Sequence, residues 1–218
     1  MEPQFWHERW RTGRIGFHQP STDRSLQAQW PGLQMGQGSH VFVPLCGKSV
    51  DLLWLRDRGH SVTGNELSAT AVEAFFLENG VPARRRVEDG FDVYETERIR
   101  LIRGDFFTLT PALLGRAEAV YDRAALISWM PALRAPYVGH LASLLAPAAR
   151  MLLISLEYPQ SQMAGPPFSV TRDEIMRLYS PQFSIQEIAR QDILASDARL
   201  RSAGITELFE VCYLLVRR

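Results

Sequence analysis

Residues 40–68 read HVFVPLCGKSVDLLWLRDRGHSVTGNELS. Val41-Phe42-Val43 is an apolar run of the length and β-branched content of a buried strand. A tight turn containing Gly47 follows, and Leu52, Leu53 and Leu55 then fall at helical spacing within Asp51 to Arg58. Gly59 closes that helix, a second apolar strand starts at Val62, and this strand ends on an acid, Glu66. Strand, glycine turn, helix, strand and terminal acid is how an α/β fold builds a site for an adenosine ribose, because a carboxylate there accepts hydrogen bonds from both ribose hydroxyls. The segment predicts a nucleoside-bearing cofactor; the alternative is an ordinary βαβ unit with an incidental acid.

The turn narrows the choice of cofactor. A dinucleotide fingerprint needs three glycines to bring backbone against a pyrophosphate, and Pro44-Leu45-Cys46-Gly47-Lys48 has one. Gly47-Lys48-Ser49 is similar to the end of a phosphate-binding P-loop, but Phe42 stands where that motif requires its first glycine. Neither phosphate cradle is complete. A cofactor with ribose and adenine but no phosphate fits, and S-adenosylmethionine is such a molecule.

Working outward, the 218 residues suit one α/β domain, 1–218, with residues 1–35 as an N-terminal helical part of it. No window reaches the ~18 apolar residues that a bilayer span requires. The first residues lack the basic-then-apolar layout of a secretion signal, and Cys46 and Cys212 make no disulfide framework, so a cytoplasmic location is expected. Lysine and arginine together balance aspartate and glutamate at 24 each, which leaves no broad electrostatic footprint for nucleic acid. A monomer acting on a small molecule is the expectation. Lys48 is the only lysine in the chain; either an ammonium is wanted at the turn or its survival is chance.

Helices are expected over the first residues, with Trp6 and Trp10 on one face, and over Ser21 to Trp30 with a cap at Ser21 or Thr22. Ser68 reads as the cap of a helix over Ala69 to Asn79, and Arg84-Arg85-Arg86 as a solvated loop. Residues 91–103 alternate as a hairpin, and Ala119-Val120-Tyr121 is a strand ending on Asp122-Arg123. A helix from Ala132 to Leu145, bounded by Pro131 and Pro147, precedes a strand over Met151 to Glu157. Pro159 to Val170 reads as an ordered loop, and Thr171 as the cap of a helix to Tyr179. Phe183 to Ile188 and Phe209 to Val216 close the chain as an antiparallel strand pair. The pattern is α/β, a mostly parallel sheet with helices on both faces. Ligands bind such sheets beyond the carboxyl ends of strands, which gathers Gly47, Glu66, Asp105, Asp122, Arg123 and Glu157 around one crevice.

These pieces resemble the thiopurine S-methyltransferase family. The resemblance is carried by Trp6-x-x-x-Trp10, Gly16-Phe17-His18-Gln19, Val43 to Lys48, Gly59 to Val62, Glu66-Leu67-Ser68, Tyr121 to Leu126, Gly165-Pro166-Pro167-Phe168 and the closing Gly204-Ile205 and Leu208-Phe209-Glu210. It implies a class I, Rossmann-like S-adenosylmethionine-dependent fold with an N-terminal lid, and methylation of sulfur in aromatic or heterocyclic thiols. The compact N-terminus is most like bacterial members, which are associated also with selenium and tellurium compounds. The resemblance implies cofactor contacts from Trp10, Leu45, Glu66, Asp105, Phe106 and Arg123, and a substrate contact from Phe17. It implies further that Arg123 and Arg199 act on the acceptor. Arg123 could instead serve as a partner for a neighbouring group, and Arg199 lies in an arginine-rich stretch. Cys46 has no histidine nearby in sequence and reads as a small buried thiol. A cofactor-binding module without turnover is the other reading of the whole.

Overall fold

The computed structural model describes residues 2–218, without the side chain of Arg199. In chain order the elements are α1 (Pro3–Arg11), α2 (Arg24–Gln29), a 3-10 turn (Trp30–Leu33), β1 (His40–Val43), α3 (Asp51–Asp57), β2 (Ser61–Glu66) and α4 (Ala69–Glu78). Then come β3 (Arg84–Glu88), β4 (Phe91–Thr96), β5 (Ile99–Arg103), α5 (Pro111–Leu114), β6 (Ala117–Arg123) and α6 (Pro131–Leu144). The chain closes with β7 (Leu145–Glu157), α7 (Arg172–Tyr179), β8 (Phe183–Asp192), α8 (Ala198–Ser202) and β9 (Phe209–Arg217).

The strands form one nine-stranded sheet in the order β3-β4-β5-β2-β1-β6-β7-β9-β8. The five central strands β5, β2, β1, β6 and β7 run parallel, and the outer pairs are antiparallel. From β1 the chain winds first towards β2 and later crosses to β6 on the other side, so the strand order reverses at β1. In open parallel sheets such a reversal is where ligands bind, beyond the carboxyl ends of the strands.

Period-two alternation splits the core between the two faces of the sheet. Val41 and Val43 point to a cluster with Leu52, Leu55, Phe75 and Tyr121. Phe42 points the opposite way, to a cluster with Val120, Tyr137, Leu141, Met151 and Tyr179. Helices α2, α3 and α4 cover the first face, and α5, α6 and α7 cover the second. Each fully buried side chain of this size contributes roughly 2–3 kcal/mol of apolar transfer free energy. Among the described residues no helix is long and apolar enough to cross a membrane.

Three local expectations need correction. The arginine run is not a loop but edge strand β3, held by ion pairs instead of apolar alternation: Arg85 to Asp92 and Arg86 to Glu95, both at 2.8 Å. The cap of α2 is Asp23, whose carboxylate accepts from Leu26 N, so the helix starts later than Ser21 or Thr22 would place it. Pro147 does not follow the helix but lies within β7, where Ala148 at φ 61° and a register shift against β6 absorb it. The short helix α8 had no signal strong enough to be expected. The caps at Ser68 and Thr171 are as expected, each side chain accepting from a backbone N–H three residues on.

Candidate active site

The turn after β1 carries backbone strain at a defined place. Leu45 sits at φ 48°, a left-handed conformation that costs a leucine roughly 1–2 kcal/mol. Two bonds from β2 hold it there: Cys46 N donates to Asn65 O, and Gly47 N donates to Glu66 Oε2, both at 2.9 Å. Gly47 is itself at φ 56°, and a Cβ on it would stand 3.1 Å from the Trp10 ring. The turn is therefore built against the indole of α1, and a side chain at Gly47 would both strain the backbone and press on that ring.

Glu66 is 6% exposed and both carboxylate oxygens accept backbone N–H groups, Oε1 from Ser68 at 2.7 Å and Oε2 from Gly47. Burial raises its carboxyl to about 7 despite those donors. Each oxygen keeps a second lone pair, and hydroxyl donors from a ligand would favour the ionised form. These features fit the ribose of the expected cofactor: a buried acid at the end of β2, beside a turn too sparse in glycine for a diphosphate.

The N-terminal segment supplies an aromatic wall. Trp10, the buried residue of α1, meets the Phe17 ring edge-on at 5.7 Å, and Trp6 meets the same ring at 5.8 Å. His18 follows in a half-buried position; burial lowers its imidazole below the usual value, and the charges of Lys48 and Arg123 lower it further against the opposing effect of Glu78. Phe17 and His18 therefore lie on the same side of the sheet as the turn. Lys48 spans from the turn to the end of α4, its Nζ donating to both oxygens of Glu78 at 2.6 and 2.7 Å. Cys46 is a buried thiol pushed well above its ordinary value by burial, so it stays protonated and unreactive.

At the end of β6 two adjacent residues part ways. Arg123 stays 18% exposed at the carboxyl end of the strand, with Nε 3.5 Å from Asp23 Oδ2. Asp122 is buried. Alternation turns its side chain into the core, where it accepts from Tyr137 OH at 2.6 Å and Leu126 N at 3.1 Å. Glu157 is also spoken for, bonded to Arg190 at 2.9 Å. Past β5, the exposed Asp105 caps a 3-10 turn by accepting from Phe107 N, while the Phe106 ring packs on Tyr137 at 4.9 Å. An adenine contact at this point would come from the Asp105 side chain and the Phe106 backbone. The 165–168 loop is tied beside the turn after β6, Phe168 N donating to Ile127 O at 2.7 Å and Tyr158 OH to Pro167 O at 2.6 Å. Arg199 lies on α8, and its side chain is outside the described residues.

A sequence model of the family "Thiopurine S-methyltransferase (TPMT)" matches residues 1–218. The chain belongs to that family. Among its relatives, the thiopurine S-methyltransferase of Nitrosospira multiformis is 45% identical over 218 residues, covering 100% of this chain and 99% of the relative. That of Pseudomonas fluorescens is 46% identical, covering 98% of each. Solved structures agree on the fold at low identity. An S-adenosylmethionine-dependent methyltransferase from Anabaena variabilis superposes with a TM-score of 0.70 at 16% identity, over 99% of this chain and 95% of that one. One from Geobacter sulfurreducens, in complex with S-adenosyl-L-homocysteine, gives 0.65 at 17% identity, over 100% and 99%. The thiopurine S-methyltransferase family places this chain among enzymes that use S-adenosylmethionine, on the class I α/β fold expected from residues 40–68.

The residues that sequence reasoning missed are Asp23, Asp51, Tyr121 and Glu210, which are gathered around Arg123 from the cap of α2, from α3, from β6 itself and from β9. Their separations along the chain, 28 residues from Asp23 to Asp51 and 70 from Asp51 to Tyr121, leave no local pattern to read.

Proposed function

We propose that this protein transfers the methyl group of S-adenosylmethionine to the sulfur of thiopurines or other aromatic and heterocyclic thiols, with selenium and tellurium compounds as further acceptors. The observation that supports it best is that a partly exposed Arg123 and the Trp6–Phe17–Trp10 wall both stand at the carboxyl end of the sheet. A guanidinium and aromatic faces are what a flat, anionic thiolate requires. The bound cofactor supplies a methyl group already activated by its sulfonium.

In this reading Glu66 holds the ribose, Leu45 lines the site through its strained turn, and Asp105 with the Phe106 backbone meets the adenine. Trp10 closes the N-terminal lid over the Gly47 turn and excludes water, which strengthens every charge interaction beneath it. Arg123 and Arg199 stabilise the anionic acceptor, and Phe17 lines its pocket. No strong general base is needed, because thiols on electron-poor rings ionise near neutral pH; the chain's task is to hold acceptor sulfur and methyl carbon in line at ~3 Å. The reading includes residues 1–218 as one domain, acting as a monomer in the cytoplasm; two free, buried cysteines are in keeping with a reducing compartment.

The test is turnover of a thiopurine by purified protein with S-adenosylmethionine, with selenite and tellurite in parallel. Methylated thiol supports the reading. Cofactor binding without turnover of any acceptor would replace it with a non-catalytic binding module.

A further inference from the structure

Asp23 is 4% exposed and belongs to no element, yet three groups depend on it. Its Oδ1 caps α2 by accepting from Leu26 N at 2.9 Å, its own N–H donates to Asp51 Oδ1 at 2.8 Å, and its Oδ2 stands 3.5 Å from Arg123 Nε. Two further bonds extend the network: Tyr121 OH donates to Asp51 Oδ2 at 3.0 Å, and Ser25 Oγ donates to Glu210. The segment that follows the aromatic lid is thus moored to the floor of the crevice, and one of its moorings is Arg123.

Capping does not explain the charge. Serine or asparagine caps a helix as well as aspartate does. A carboxylate here adds to a crowded set, since burial already pushes the carboxyls of Asp51 and Glu210 up and the charge of Asp23 pushes both further. Arg123 is the cation that opposes this at both residues. The ion pair engages Arg123 through Nε, and its two terminal nitrogens make no hydrogen bond among the described residues. The edge of the guanidinium that suits a ligand is left open.

We propose that Asp23 is a positioning residue for methyl transfer, holding Arg123 by its Nε side so that the terminal nitrogens face the acceptor, and tying that orientation to the docked N-terminal segment. This rests on the reading of Arg123 as an acceptor-binding group. The charge and the tether act in opposite directions on catalysis. Removing the carboxylate's charge leaves the field of Arg123 stronger, so an anionic acceptor binds no worse. Removing the tether lets the guanidinium swing, so fewer bound acceptors are aligned.

Asp23→Asn and Asp23→Ser keep the cap and delete the charge. Each is expected to lower kcat roughly ten- to hundredfold with KM for the thiol unchanged or reduced. Both should keep the wild-type Tm and bind S-adenosylhomocysteine within about threefold of wild type. A wild-type kcat in either variant overturns the proposal. So does a rise in acceptor KM at constant kcat, or a loss of activity that follows a fall in Tm, since these are what a merely structural role would give. Absence of thiol turnover by the wild-type protein is a different failure, because it removes the reading of Arg123 on which the proposal rests.

Discussion

The carboxyl ends of β2 and β6 carry buried acids, and the two acids have opposite fates. Glu66 and Asp122 are 6% and 0% exposed, and burial raises their carboxyls to about 7 and about 6. Each accepts backbone N–H bonds from the loop that follows its strand. Glu66 differs in its second partner, the N–H of Gly47, which belongs to the turn lining the crevice. The second partner of Asp122 is the hydroxyl of Tyr137, whose ring is sealed in the core. Burial and a displaced titration therefore do not by themselves mark a site in this fold. In the proposed reading the side of the sheet that the side chain faces does, and on β6 that side belongs to Arg123.

Substitutions at these positions sharpen the contrast. Arg123→Ala should reduce thiol methylation by roughly two to three orders of magnitude, as loss of a preorganised charge at a reacting centre does. Its stability should fall as well, because the substitution leaves the Asp23 side chain, 5% exposed, without its counter-charge, so methylation is compared per folded molecule. Wild-type methylation per folded molecule would return Arg123 to the scaffold.

Asp122→Ala should cost stability alone. It strands the Tyr137 hydroxyl and the Leu126 N–H in the core and should cost about 2–3 kcal/mol of stability. Cofactor affinity of the folded fraction should be unchanged, and a calorimetric titration checks this; a large loss of affinity would erase the distinction between the two strand ends.

Glu66 should separate binding from stability. Glu66→Gln should weaken cofactor binding by about 1–3 kcal/mol, the range for a hydrogen bond to a charged group and its loss. The folded protein holds this proton more tightly than the unfolded chain does, so the stability it contributes is complete at pH below about 4.5 and is lost as pH rises through about 7. The variant has nothing to lose over that window, and its Tm should gain on wild type between those limits. Asp122 contributes with the same sign over a window that ends nearer pH 6. Matching Tm curves for wild type and Glu66→Gln would mean that the acid is not held as the structure shows.

The smallest effect is expected at the lone lysine. Lys48→Met removes a strut whose partner Glu78 is 52% exposed, and should change stability by no more than about 1 kcal/mol. A large loss of cofactor affinity with it would show that the strut sets the shape of the turn.

Much of this was legible in residues 40–68, because a buried parallel strand, a glycine turn and a terminal acid each leave a local mark. The strand at Arg84–Glu88 left none, since ion pairs across the sheet replaced the apolar alternation by which a half-buried strand is read. Pro147 misled for a related reason: a bulge lets proline sit inside a strand whose end would otherwise begin at it. The roles proposed for the PLCGK turn and Arg123 rest on the family motifs, whereas the inward face of Asp122 required the register of β6. The Asp23 network was out of reach of any local pattern, because it is assembled from α2, α3, β6 and β9.

The most direct test is a calorimetric titration of S-adenosylhomocysteine into wild-type protein and into Glu66→Ala. Micromolar binding to the first and affinity weaker by about ten- to a hundredfold in the second, with both proteins folded, is the result expected of a ribose-binding acid at the end of β2. Equal affinity in the two would contradict it and leave Glu66, like Asp122, a buried acid that serves the fold alone.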